Sequence, residues 1–336
     1  MAKSAEVDDN SEIHTNETRF SHLKHPIRLA LILFAGVLAM SSAALFIRYA
    51  QAEAVPSIVI AAYRLAIATA VLSIPMLAGQ GWRDYATLTR GDFLTLTCSG
   101  VLLGLHFATW VTSLAHTSVA SSVVLVTTTP LWIGLLSPIL LKERTSWATW
   151  LGIALATVGG IIIGLGDWSG SGLGSLWGNG LALSGAVLVA GYLMIGRSVR
   201  SKLRLIPYLW MVYGIAALLL TAWTIVARMP VTGFAPRAYV WLIALGIVPQ
   251  LIGHSSANYA VRHLSATFVG IVTLGEPIGS TLLAILLLRE WPGTVQIAGG
   301  LLLLGGIGVA SIAEERTRSS QRQPSLPPSG SSSIDS

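Results

Sequence analysis

Ten long apolar runs constrain this chain more than any single motif does. They fall near residues 29–47, 57–79, 93–114, 118–141, 146–166, 177–196, 206–227, 238–260, 265–288 and 293–313. At ~1.5 Å per residue, a run of about 19 to 25 residues crosses a hydrocarbon core of ~30 Å. Lipid offers no partner to a backbone N–H or C=O, so a spanning segment must satisfy these groups within itself or within a closed barrel. The runs lack the alternation of barrel strands, which leaves α-helices. The expected fold class is an all-α integral membrane protein with ten transmembrane helices. The first run starts too late, and is followed by too many others, to be a removable signal peptide.

Composition narrows the partners. With 53% hydrophobic and 11% charged residues, the chain is far from a soluble domain, in which about a quarter of residues are charged. The charges collect at the termini and in short connectors, so the net +6 relates to the lipid bilayer and to orientation rather than to nucleic acid. The single cysteine, Cys98, lies inside an apolar run, which excludes an intramolecular disulfide, a cysteine-based zinc site and a paired redox motif. No cofactor is expected. The Gly-rich stretch GDWSGSGLGSLWG at 166–178 lacks the full GxGxxG spacing and follows no strand, so it reads as a linker.

Of the 21 lysines and arginines, 16 fall on one side if both termini are cytoplasmic. Only Arg48, Arg228, Arg237 and Arg289 fall on the other side, and Arg64 lies within a run. That bias predicts an N-in, C-in, multi-pass membrane protein.

The two halves repeat. A shift of 147 positions lays LKERTSWATWLG, from Leu141, onto LREWPGTVQIAG, from Leu288. It aligns Lys142 with Arg289, Glu143 with Glu290, Gly152 with Gly299, Ser118 with Ser265, Pro130 with Pro277 and Gly159 with Gly306. One offset holding over some forty residues marks an internal repeat. Five helices per half is an odd number, so the second half must enter the bilayer from the opposite side. The expected organisation is a disordered cytoplasmic tail at 1–28, a first repeat at 29–166, a linker at 167–176, a second repeat at 177–313 and a disordered cytoplasmic tail at 314–336.

The segments LAHTSVASSVVLVTTTPLW and LLKERTSWATWLGIALATVGG, with their echoes VRHLSATFVGIVTLGEPIGS and LLLREWPGTVQIAGG, resemble the EamA-type branch of the drug/metabolite transporter superfamily. The resemblance implies two inverted five-helix EamA-like repeats, a Glu-Pro pair in the ninth helix and a charged turn after the fourth and ninth. It covers roughly four fifths of the chain. Lys142 and Arg289 replace the glycine common before each turn glutamate. The family is broad in substrate, so the match names none.

The residues that interrupt the apolar pattern are the candidates for function. Mid-helix prolines remove an N–H and displace the carbonyl four residues back, so Pro130 frees Val126 and Pro277 frees Thr273. Breaks at matching repeat positions point to a transport site, against the alternative of simple packing kinks. Glu276 is the one acid within a run, and an unpaired carboxylate there costs at least ~2.5–3.5 kcal/mol, so it must face the bundle interior. Thr273, Glu276 and Ser280 share a helical face able to line a cavity. Glu276 either binds a substrate ammonium or exchanges a proton, or it locks the kinked helix to its neighbours. Its repeat partner is Thr129, so the opposite wall carries Thr127, Thr128, Thr129 and Trp132.

Arg64 lies eight residues into the second helix. It either snorkels to the outer interface, the preferred reading at a depth of ~10 Å, or lines the pathway as an anion anchor. His106, with Trp110 one turn on, falls one place from His254, with Asn258 one turn on, under the 147 shift. Matched imidazoles point to a pathway or proton-relay role, against ordinary helix–helix hydrogen bonds. Tyr192, Tyr213, Gln250 and Tyr259 are weaker candidates. The glycines of the fifth and tenth helices permit close packing, within the chain or at a homodimer seam.

The inverted repeat and the broken helices predict a secondary transporter, and the resemblance implies one that exports small metabolites such as amino acids across a bacterial-type plasma membrane. Carriage of a nucleotide sugar, drug or organic anion is the alternative, and proton or counter-solute coupling and a monomer or homodimer all stay open. A membrane enzyme with His106, His254 and Glu276 around a metal is the other rival, though no catalytic motif accompanies those residues. A channel would not require the inverted repeat, and the missing P-loop excludes an ATP-driven pump for this chain alone.

Overall fold

Long apolar sequence folds here into helix almost throughout the described residues, despite 34 glycines and 14 prolines in the chain. The computed structural model describes residues 10–140, 146–260 and 272–322, with the side chains of residues 10–28, 257–258 and several residues at helix ends outside that description. No strand occurs among the described residues. The first three spans are α1 (Asn10–Ala52), α2 (Ser57–Ala78) and α3 (Arg90–Ser113). The fourth is divided into α4 (Val119–Val126) and α5 (Thr129–Leu140). Spans five to seven are α6 (Trp147–Ser171), α7 (Leu173–Arg200) and α8 (Leu205–Val226). The eighth consists of α9 (Pro236–Leu245), a π-helical stretch (Gly246–His254) and α10 (Ser255–Ala260). The ninth contains α11 (Gly275–Leu283) and a second π-helical stretch (Ala284–Leu288), and the tenth is α12 (Thr294–Arg322).

Nine of the described helical segments are long and apolar enough to cross a membrane, and Gly275–Leu288 is a shorter apolar tenth. The ten-helix expectation therefore stands, with residues 265–271 of the ninth run, the turn residues Lys142 to Arg144, and Arg262 outside the described residues.

Two boundaries differ from the sequence expectation. The helix starts at Asn10 and the last runs to Arg322, so the segments 10–28 and 314–322, expected as disordered tail, are helical. Nucleation is the costly step of helix formation, and an existing span lets polar residues join at little cost. The Gly-rich linker also shrinks to one sharp corner. α6 runs to Ser171 and α7 starts at Leu173, with Gly172 between them at φ 70, a left-handed conformation that glycine adopts without steric penalty. At other helix starts the sequence supplies caps. Thr89 and Asp92 form a reciprocal capping box ahead of α3, and the Ser118 hydroxyl accepts from Ser121 N–H ahead of α4.

Packing follows a twofold exchange of the halves. The first span packs on the eighth and ninth, as the sixth packs on the third and fourth. The second packs on the eighth, as the seventh packs on the third. The pairs two–seven and five–ten map onto themselves. An inverted five-helix repeat produces this pattern.

Glycines set the five–ten contact. A Cβ on Gly152 would lie 2.5 Å from Ala310 N and 2.6 Å from Gly306 O, and one on Gly159 would lie 2.6 Å from Gly299 O. The backbones touch there, as small-residue seams allow in lipid. These glycines therefore serve internal packing.

Polar ties between the halves lie at both ends. At one, Glu290 accepts from Val119 N–H and pairs with Arg48 at 3.1 Å, while Arg48 donates to Leu114 O at 2.8 Å. At the other, Lys202 pairs with Asp92 at 2.7 Å and Arg204 with Asp84 at 2.8 Å. The hydrogen bonds from Arg204 hold the Asp84 carboxyl below its ordinary range. Folding lowers that pKa, so the tie is present above the ordinary carboxylate range and is lost as pH falls through the depressed value.

Replacing Gly152 by leucine should destabilise the protein by about 2 kcal/mol or more, because the backbone atoms it meets cannot rotate away. Gly308→Ala, where no atom lies within 4 Å, should stay within about 1 kcal/mol of wild type. Thermal unfolding of the two purified variants in detergent checks the contrast.

Candidate functional site

Arg64 organises the centre of the bundle. Its residue is 0% exposed, so it does not snorkel to the interface as the sequence reading preferred. It donates from Nε to Gln250 Oε1 at 2.6 Å and from Nη2 to His254 Nε2 at 3.1 Å. Its guanidinium carbon lies 4.3 Å from the Phe107 ring centroid and 5.5 Å from that of Trp110. Two features hold it inside. The π-helical stretch around Pro249 presents Gln250 and His254 one turn apart towards the second span, and aromatic faces of the third span attract the cation. A guanidinium has only donors, so His254 Nε2 accepts here.

His106 belongs to the same cluster. Its Nδ1 donates to Gly185 O of the sixth span at 2.8 Å, and its ring stacks on Trp110 with centroids 6.1 Å apart. Phe107 meets the His106 ring at 4.7 Å and the His254 ring at 6.4 Å, so one phenyl bridges imidazoles from the two halves. Arg64, His106 and His254 lie within electrostatic reach of one another, and Tyr213 and Glu276 within reach of Arg64. Glu276 makes no ion pair within 4 Å among the described residues.

The paired helix breaks occur where the two prolines place them. The fourth span opens at Thr127 and Thr128, ahead of Pro130, and the ninth at Leu274, ahead of Pro277. The exposed-carbonyl expectation needs correcting at the first. The Thr129 hydroxyl donates to Val126 O at 3.0 Å, so the carbonyl freed by Pro130 has a partner. Thr127 and Thr128 donate in the same way to Val124 O and Leu125 O, and Trp132 Nε1 donates to the Thr128 hydroxyl at 3.1 Å. Three consecutive threonines thereby make a broken helix tolerable in lipid.

In the ninth span, Ser280 leaves the expected cavity stripe. It is 2% exposed and donates to Ser41 O of the first span at 2.9 Å. The Ser41 hydroxyl donates to Val37 O and, at 3.4 Å, to Glu276 O. Ser280 therefore fixes the seam between the first and ninth spans, while Thr273 and Glu276 stay partly exposed. The side chain of Asn258 lies outside the described residues.

The structure brings Arg64, His106, Trp110, His254 and Glu276 into one neighbourhood. Phe107 and Gly185 join them without having been singled out, and Gln250 moves from a weak candidate to a direct partner. Pro249 was the available signal, since a mid-span proline can break the regular hydrogen-bond ladder and re-aim the side chains that follow it. The set does not suit a metal. One imidazole nitrogen of each histidine is engaged, a guanidinium lies against His254, and no group of three or more metal-ligating side chains occurs among the described residues. The arrangement suits a polar solute held between a cation and a carboxylate on aromatic walls.

Comparison with known proteins bears on what such a centre serves. The model of the EamA-like transporter family matches the chain twice, over residues 27–165 and 176–312. An uncharacterized transporter of Archaeoglobus fulgidus is 26% identical over 262 residues, covering 74% of this chain and 86% of that protein. The uncharacterized transporter YcxC of Bacillus subtilis is 22% identical over 311 residues, covering 88% and 96%. A protein of Streptantibioticus cattleyicolor named "Probable terminal-alkyne amino-acid exporter" is 27% identical over 222 residues, covering 63% and 69%. One solved crystal structure shares the fold, with a TM-score of 0.60 and 22% identity over 86% of this chain and 98% of its own.

Thr129→Val keeps the side-chain shape and removes the hydroxyl bound to Val126 O. It should cost about 1–3 kcal/mol in thermal unfolding, and Thr129→Ser should restore most of that.

Proposed function

This chain belongs to the EamA-like transporter family, and from that premise we propose a secondary transporter that exports small metabolites, amino acids among them, across a bacterial-type plasma membrane by alternating access. That it is a multi-pass membrane transporter follows from the family and from its apolar helices. The observation that carries the finer reading is the pair of repeat-matched helix breaks flanking a centre with an inward arginine and an inward glutamate. Two inverted halves rocking about that centre would present it to each side in turn. The Streptantibioticus relative's name supports an amino acid as the cargo and export as the direction. The basic-residue bias supports N-in, C-in.

In this mechanism the solute enters between the first four helices of each half. Arg64 and Glu276 supply charges of opposite sign and Thr273 supplies polar contact, while Thr128, Thr129 and Trp132 hold the broken fourth span that walls the centre. Glu276 takes up or releases a proton as the halves exchange, coupling flux to a pH gradient.

Proteoliposomes loaded with labelled amino acids, nucleotides or sugars test this with and without a pH gradient. Amino acids should leave the vesicles, and Glu276→Gln should slow their flux at least about tenfold and remove its pH dependence. No flux of any class would overturn transport, and full flux with unchanged pH dependence in Glu276→Gln would remove that residue from the site.

A further inference from the structure

Two buried donors in the central cluster lack acceptors. Arg64 Nη1 and Trp110 Nε1 have no hydrogen-bond partner among the described residues. Arg64 is 0% and Trp110 3% exposed. The guanidinium carbon lies 5.5 Å from the indole centroid, so the two groups share one small region. The bonds that Arg64 does make go to Gln250 and His254, neither of which supplies a negative charge. The cation also has no ion pair within 4 Å among the described residues. A buried donor without an acceptor is destabilising, and a buried charge without a partner more so.

From this pairing we infer that Arg64 Nη1 and Trp110 Nε1 form a subsite for the carboxylate of the transported solute. The inference rests on the transporter reading and narrows its substrate class. Both groups are donors only, so the ligand must bring acceptors. Positive charge on one of them calls for an anion, and two donors on adjacent groups match the two coplanar oxygens of one carboxylate. A phosphate dianion brings a second negative charge into the electrostatic reach of the Glu276 carboxylate, which disfavours it. The Phe107 and Trp110 rings lie against the guanidinium, 4.3 and 5.5 Å from its carbon to their centroids, and give it no acceptor in the ring plane. Glu276 lies within electrostatic reach of Arg64 with no ion pair to it within 4 Å, so its carboxylate is available to an ammonium group on the same solute. A zwitterion then enters with no net charge, and a solute amidated at its carboxyl loses the contact that both donors require.

The test uses full-length protein in detergent with three probe pools at equal concentration: the common amino acids, their carboxamides, and inorganic phosphate with phosphate monoesters. The amino-acid pool should raise Tm, and the carboxamide and phosphate pools should not. Trp110→Phe keeps an aromatic ring against Arg64 and removes an N–H that has no partner, so the unliganded Tm should stay near wild type. Its half-saturating amino-acid concentration should rise about tenfold or more, the scale of one hydrogen bond to a charged group. Equal stabilisation by carboxamides, preference for phosphate, or an unchanged half-saturation in Trp110→Phe would each overturn the subsite. Flux in wild-type proteoliposomes separates the two levels. If carboxamides are carried as well as amino acids, the subsite falls and transport stands; if nothing binds and nothing moves, both fall.

Discussion

A single arginine buried in a lipid-embedded bundle governs the arrangement at its centre. Arg64 belongs to the first repeat, and its hydrogen-bond partners Gln250 and His254 belong to the second, so satisfying the charge draws the halves together. The eighth span meets that demand by departing from α-helix. Its π-helical turn around Pro249 aims an amide and an imidazole at the same guanidinium. The third span contributes the faces of Phe107 and Trp110, and His106 anchors that span to Gly185 of the sixth. Three spans from both repeats thus converge on one cation, the sixth joins them through His106, and the carboxylate of Glu276 completes the electrostatic environment from the ninth.

A second constraint shapes the walls. Helices that break in lipid must find partners for the groups they release. The fourth span does so with its own threonines, whose hydroxyls return to carbonyls three residues back. The ninth relies in part on the first, through Ser41 and Ser280. The two breaks match under the repeat, but the chemistry around them differs. A symmetric scaffold therefore carries an asymmetric centre, as an oriented solute requires.

Much of this was legible in the sequence. Hydropathy marks the spans because backbone groups in lipid leave helix as the one economical choice for such runs. The 147-residue offset marks the repeat, and with it the packing of the fifth span on the tenth through matched glycines. The polar interruptions named the principal side chains. What the sequence concealed depends on the partner rather than on the residue itself. Depth along the second span left Arg64 free to reach the interface, because nothing local reveals that Gln250 and His254 lie opposite. Ser280 shares a helical face with Glu276 by spacing, but the first span covers the serine and leaves the glutamate partly open. The threonines after Val126 looked like a binding wall, whereas their hydroxyls primarily serve the broken backbone. Local pattern could not separate a group that meets a ligand from one that meets its own main chain.

In the proposed cycle, one centre between two inverted halves opens to each side of the membrane in turn. Accessibility measures that most directly. In a Cys98→Ser background, with cysteine introduced at Thr273 beside the break in the ninth span, a membrane-impermeant thiol reagent is applied separately to each face of oriented vesicles. The account predicts labelling from both faces, with protection from either face by a solute that the protein carries. Labelling confined to one face under all conditions, or labelling that no carried solute reduces, would contradict it.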